Sequence, residues 1–162
     1  MHAHGFVVDV AAVRGLGPAP IWQDNDVLQP VRACISGEGE PPVGLLLAVR
    51  AARYGEAAHV PMGAIFLNRT LASIEVPAGF TSIGFRAFAG CSSLASIEVP
   101  AGLTSIGDWA FYGCSSLASV QLPAGLTSIG EGAFCGCSSL ASVELPASLT
   151  SIGVSDDNRY FA

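Results

Sequence analysis

Leu94-Ala-Ser-Ile-Glu-Val-Pro-Ala-Gly-Leu-Thr-Ser-Ile-Gly-Asp-Trp-Ala-Phe-Tyr-Gly-Cys-Ser-Ser116 recurs almost letter for letter when shifted by 23 residues in either direction. The unit before it runs from Leu71 to Ser93 and the unit after from Leu117 to Ser139; a fourth begins at Leu140 and departs from the pattern after Gly153. A fixed period of this size is the mark of supersecondary units stacked one on another. Within the unit, Ile97 and Val99 are two apart and point to one face of an extended strand, while Ser96 and Glu98 point to the other. Pro100 has no N–H and stops that strand. Leu103-Thr-Ser-Ile106 is a second short extended piece, and Asp108-Trp-Ala-Phe111 reads as one helical or 3₁₀ turn that brings Phe111 inward.

Stacking at about 4.8 Å converts each inward position into a column of like residues. The expected columns are Leu71/Leu94/Leu117/Leu140, Ile74/Ile97/Val120/Val143, Val76/Val99/Leu122/Leu145 and an aromatic spine of Phe88, Phe111 and Phe134. No coil buries its apolar side alone, so stability is expected to come from neighbour-to-neighbour interfaces.

The pattern L-x-x-I-x-V/L-P-x-x-L-x-x-I-G-x-x-A-F-x-G-C-S-S, from Leu71 to Gly153, resembles the BspA-like leucine-rich repeats. The resemblance implies a mainly β repeat solenoid, a right-handed leucine-rich repeat coil with short parallel strands. It implies an adhesion or protein-recognition role and no catalytic residues. It covers roughly half of the 162 residues.

The flanks divide into a non-repeat region 1–58, a solenoid 59–153 and a tail or truncated cap 154–162. In the first, Gly5–Val13 and Val31–Ile35 read as short strands and Gly15–Pro30 as loop. Val43–Tyr54, framed by Pro42 and Gly55, reads as a helix packing on the first coil as its cap. Residues 60–70 look like a degenerate half repeat, with Val60 under Ile83 and Asn68 under Cys91. The tail resembles the D-x-N-x-x-Y segment that often interrupts arrays of this family.

Net charge is −6, Lys is absent and all seven basic residues are Arg. From Leu71 onward seven acids face two arginines. That balance argues against nucleic acid, whose phosphates need clustered cations. The longest apolar run, Val43–Val49, is too short to span a bilayer, so no membrane insertion is expected. The N-terminus lacks the marks of a secretory signal, which leans toward an intracellular location.

Chemistry-bearing residues each have a plain structural reading. Cys91, Cys114 and Cys137 recur at 23 and form a ladder of small buried thiols rather than disulfides, because stacked Cβ vectors run parallel. Cys135 sits on the variable column shared with Ala89 and Tyr112. His2-Ala-His4 and Cys135-Gly-Cys137 are too sparse for a metal site, and Asn68-Arg-Thr70 is a glycosylation sequon only by letter. No nucleophile–base pair, phosphate loop or cofactor motif stands out, and the protein reads as a non-enzyme without cofactor or metal.

The outward residues remain. Ser73, Ser96, Ser119 and Ser142 beside Glu75, Glu98, Gln121 and Glu144 form two columns suited to a basic protein partner, or else an ordinary solvated sheet face. Trp109 and Tyr112, placed outward on the turn, are the next candidates. The Thr81/Thr104/Thr127/Thr150 column suggests an ice-binding alternative only one residue wide. The expected role is a protein-interaction, adhesion or scaffold module; the alternative is a structural or truncated repeat piece without its own partner.

Overall fold

The computed structural model describes residues 2–3, 5–17, 28–39, 41–54, 59–60 and 69–153, with backbone alone for 2, 3 and 59. The tail 154–162 and Asn68 lie outside the described residues, as does most of the half repeat 60–70.

The N-terminal region folds differently from its two expected strands, and most of the expected loop Gly15–Pro30 lies outside the described residues. β1 (His2–Ala3), β2 (Phe6–Val8) and β3 (Ile35–Ser36) make an antiparallel sheet in the order β1-β2-β3. The expected strand through Val13 ends at Val8. There Asp9 accepts the Ala12 N–H at 3.0 Å and caps α1 (Val10–Gly15). A side-chain oxygen satisfying an orphan N–H starts a helix more effectively than alternating valines extend a strand. Val31 belongs to α2 (Gln29–Arg32), where Pro30 in the first turn is helix-compatible, so only Ile35 of the expected Val31–Ile35 strand is extended.

α3 spans Val43–Tyr54, as proline before it and the apolar run within it imply. Leu45, Leu46, Leu47, Val49 and Ala51 are buried, and the helix packs against α1, α2 and the first coil. Arg53 reaches back through Nη2 to the Leu16 carbonyl, tying α1's end to the helix. One period before Ser73 lies Arg50, in the middle of α3. The helix thus occupies the chain position at which an earlier coil would place its first strand. β4 (His59–Val60) then enters the repeat register, with His59 opposite Ser82 and Val60 opposite Ile83.

From there the coils beginning at Leu71, Leu94 and Leu117 carry two short strands each, and the fourth carries one. β5 (Ser73–Glu75), β7 (Ser96–Glu98) and β9 (Ser119–Val120) form one parallel sheet. β6 (Ser82–Ile83), β8 (Ser105–Ile106), β10 (Ser128–Ile129) and β11 (Ser151–Ile152) join β4 in a second, five-stranded one. Every pairing between repeats is offset by 23, for example Ile74 with Ile97 and Ile106 with Ile129. Side chains alternate with the strand period: Ile74 and Ile97 are buried between exposed serine and glutamate.

A third row of inter-coil hydrogen bonds runs through the turns. Phe88 N–H donates to Ala110 O and Phe111 N–H to Ala133 O, both at 2.8 Å. The turns are not helical. Arg86 and Trp109, in the same column, have φ of 51° and 57°, a left-handed conformation that ends any α or 3₁₀ run.

The core lies inside the coils. Phe88, Phe111 and Phe134 stack with centroids 5.2 and 5.4 Å apart and planes within 6°. Leu94, Leu103, Leu117 and Leu126 are fully buried around them. The columns weaken at the ends: Leu71 and Leu140 are half-buried, and Leu145 is 44% exposed rather than inward-packed. The fourth coil has no strand at 141–146, and its Val143 is half-buried.

Glycines set the tightest approach. A Cβ at Gly130 would lie 2.3 Å from the Asp108 nitrogen and 2.5 Å from the Gly107 carbonyl carbon, both in the preceding coil. Gly130→Ala is expected to destabilise by about 1–3 kcal/mol through overpacking. Phe111→Ala, which opens a cavity in the middle of the spine, is expected to cost about 3–5 kcal/mol. Thermal melts of both variants check the register, since a curve unchanged for Phe111→Ala contradicts the burial of that ring.

Candidate interaction surface

The outward face of the β5–β7–β9 sheet is built by register. Ser73 lies opposite Ser96 and Ser96 opposite Ser119; Glu75 lies opposite Glu98. All five are exposed, as is Gln121 just past β9. Like charges abreast on a sheet oppose each other, and the neutral Gln121 relieves the column after two glutamates. Ser142 and Glu144 are exposed too, but they stand outside the sheet. The fourth coil forms no strand at 141–146, and its Val143 is only half-buried. Register is held firmly only where one face is buried, and here that anchor is weak. The ordered columns therefore run over three coils, with Ser142 and Glu144 beside them.

The turn face differs from its expected form at one residue. Tyr112 is exposed, and its ring meets that of Trp109 edge-on at 5.3 Å. Trp109 is not simply outward. It is half-buried, its six-membered ring lying over Gly132 so closely that a Cβ there would fall 2.7 Å from Cε3. Gly132, with φ of 60°, takes the same left-handed column as Arg86 and Trp109. The glycine thus serves both the backbone and the indole above it. Phe85, exposed on the adjoining coil with the Arg86 guanidinium 5.1 Å from its ring centroid, extends this aromatic face.

Threonine hydroxyls on the second sheet are engaged by the backbone. Thr104, Thr127 and Thr150 Oγ1 donate to the carbonyls of Thr81, Thr104 and Thr127 at 3.0–3.1 Å. The following serines have intermediate exposure in three coils, so the exposed threonine column is one residue wide. Asp108 Oδ1 accepts the Glu131 N–H at 2.8 Å, an inter-coil bond that the sequence did not announce.

All five cysteines are free. Cys91, Cys114 and Cys137 are buried, and the Sγ of Cys114 and Cys137 donate to the carbonyls of Phe88 and Phe111 at 3.2 Å. Burial pushes both thiols up, that of Cys137 to about 12. Cys135 is half-buried. Among the described residues no three His, Cys, Asp or Glu gather as a metal site, and no helix is long and apolar enough to cross a membrane. His4 and the side chain of His2 are outside the described set.

This geometry, with a 23-residue register and a buried Phe and Cys recurring at fixed positions through three coils, meets an independent finding. The family model of the BspA type leucine-rich repeat region matches residues 63–156 in six copies. The chain belongs to that family. Among solved structures it is similar to the leucine-rich repeat protein of T. pallidum. That match has 40% identity and a TM-score of 0.59, and covers 59% of this chain and 45% of the other. A leucine-rich repeat protein from Bacteroides ovatus matches at 29% identity and a TM-score of 0.46, over 54% of this chain and 28% of that one. The BspA-type chain thus spans less than half the length of either. No curated protein matches it.

The thiol column yields a test. In the native protein a thiol reagent is expected to label Cys135 faster than Cys91, Cys114 and Cys137, which react fully only after denaturation; mass spectrometry of labelled peptides reads the order. Because folding raises the Cys137 pKa above its ordinary value of 9.0, the unfolded chain loses its proton first as pH rises. Stability is accordingly full below about pH 9 and expected to fall between there and about pH 12. Alkaline melts of wild type and Cys137→Ala separate this thiol's share.

Proposed function

We propose that this leucine-rich repeat chain is a non-enzymatic protein-interaction module, of the adhesion or scaffold kind, whose binding face is the outward side of β5, β7 and β9. The single observation that carries the reading is the register of that face. Ser73, Ser96 and Ser119 stand in one exposed column, with Glu75 and Glu98 in the next, on a backbone braced by inter-coil hydrogen bonds. A rigid surface loses little entropy on binding. Its charge favours a basic partner, and complementary charge gives on-rate and selectivity more than raw affinity. Glu144 and Ser142 extend the acidic side, and Trp109 with Tyr112 offers an aromatic anchor on the neighbouring turn face.

The acidic character of the repeats also sets them against nucleic acid, whose phosphates they would repel. Leucine-rich repeat families are typically without catalytic function, which supports the non-enzymatic reading. An intracellular setting agrees with seven arginines, five free thiols and no disulfide among the described residues. In an ice-binding alternative the Thr hydroxyls would already be committed as donors to the backbone.

Changing Glu75, Glu98 and Glu144 together to Gln removes charge and keeps shape. Exposed ion pairs contribute about 0.5 kcal/mol each, so a basic partner is expected to bind about tenfold more weakly and with a flatter salt dependence. Calorimetric titration across salt concentrations reads both quantities. Unaltered affinity and salt slope would place the partner elsewhere.

A further inference from the structure

β5 is the edge of its sheet, and hydrogen-bond parity shows which of its groups face the open side. In a parallel ladder a residue turns its N–H and C=O to one neighbour, and the next residue turns both the other way. Ala72 O accepts from Ala95 N–H at 2.8 Å, and Val76 N–H donates to Glu98 O at 2.9 Å, so even-numbered positions face β7. Ser73 and Glu75 therefore direct their backbone groups away from the sheet. The Glu75 carbonyl bears this out, since a Cβ on Gly44 of α3 would lie 3.0 Å from that oxygen. A helix has no spare ladder with which to pair a strand edge, and α3 stands where the missing strand would be.

Between them is a groove of about 900 Å³. One wall is most of residues 70–78; the other is residues 41–45 with Arg32. Gly44 closes the Glu75 end, which leaves the N–H and C=O of Ser73 facing the groove. Backbone polar groups at a sheet edge are satisfied by water or by another strand, and an exposed edge is a template for the latter.

We propose that this groove receives an extended peptide segment of a partner protein by strand addition, one guest residue exchanging both backbone bonds with Ser73. Among the described residues lining the groove Arg32 is the one cation, and Glu75 lies at the closed end. The guest therefore carries an acidic side chain directed to Arg32. A second copy of the chain cannot enter through its own β5, because that strand is flanked by α3. The outward acidic face repels the same guest, so the two sites select opposite charges even though Ser73 and Glu75 contribute to both.

The probe is a fluorescein-labelled, end-capped peptide Thr-Val-Asp-Val-Thr, titrated into the full chain by polarisation. Two analogues carry N-methyl groups on alternate residues in opposite phase. Strand addition through one edge requires that one phase lose at least tenfold in affinity and the other keep it. Ser73→Pro removes the groove-facing N–H, which an edge strand tolerates, with Ser73→Ala as the control for loss of the hydroxyl; the proline variant alone is expected to weaken binding at least tenfold with melting little changed. Arg32→Gln is expected to weaken binding and flatten its salt dependence. Glu98→Gln with Glu144→Gln, which alters the outward face without touching a groove residue, is expected to bind the probe at least as well as wild type, so failure of that face leaves this one standing. Equal binding of both N-methylated analogues, or none at millimolar probe, overturns the proposal. If Ser73→Pro does not fold, the analogue pair decides alone.

Discussion

The whole solenoid depends on backbone hydrogen bonds made between successive coils of a 23-residue period. They run in three rows: along β5–β7–β9, along the sheet of β4, β6, β8, β10 and β11, and through the turns from Phe88 to Ala110 and from Phe111 to Ala133. Each row holds like positions about one strand spacing apart, and that distance also stacks Phe88, Phe111 and Phe134. The aromatic column and the peptide ladders enforce one another. A slip by one residue would turn the buried isoleucines outward and separate the rings.

The constraint explains the distribution of small residues. Where two coils come closest, at Gly107 against Gly84 and Gly130 against Gly107, no side chain fits. Where a coil must reverse, the backbone goes left-handed, and the residue there is arginine, tryptophan or glycine in turn. Only the glycine leaves room for the indole of the coil before it. Within the interior, thiols replace hydroxyls as small donors, spending their S–H bonds on the carbonyls of Phe88 and Phe111. A hydroxyl column does the same on the exposed edge, from Thr104 to Thr81 onward.

Ends are where the rule relaxes. At the N-terminal end α3 covers the first coil with apolar residues yet cannot pair the β5 edge. At the other end Val143 and Leu145 lose burial, and the ladder stops at β9. Both proposed binding regions follow from this. The outward face exists because the middle coils keep their register, and the groove exists because the first coil's neighbour is helical.

Periodicity alone determined the repeat boundaries, the inward columns, the outward Ser/Glu columns and helix 43–54, since each follows from local alternation or from Pro and Gly punctuation. The family was legible for the same reason: a Phe, a Cys and a Pro recurring at fixed positions every 23 residues are demands of a single coil, repeated. Tertiary structure decided what depends on a neighbour outside that period. Asp9 made a helix of an expected strand; α2 absorbed Val31; Gly132 drew Trp109 inward; the fourth coil left Ser142 and Glu144 off the sheet. The free side of Ser73 was beyond the sequence because it depends on what stands beside β5. A 12-residue helix occupies that place, and nothing in the repeat itself specifies its neighbour.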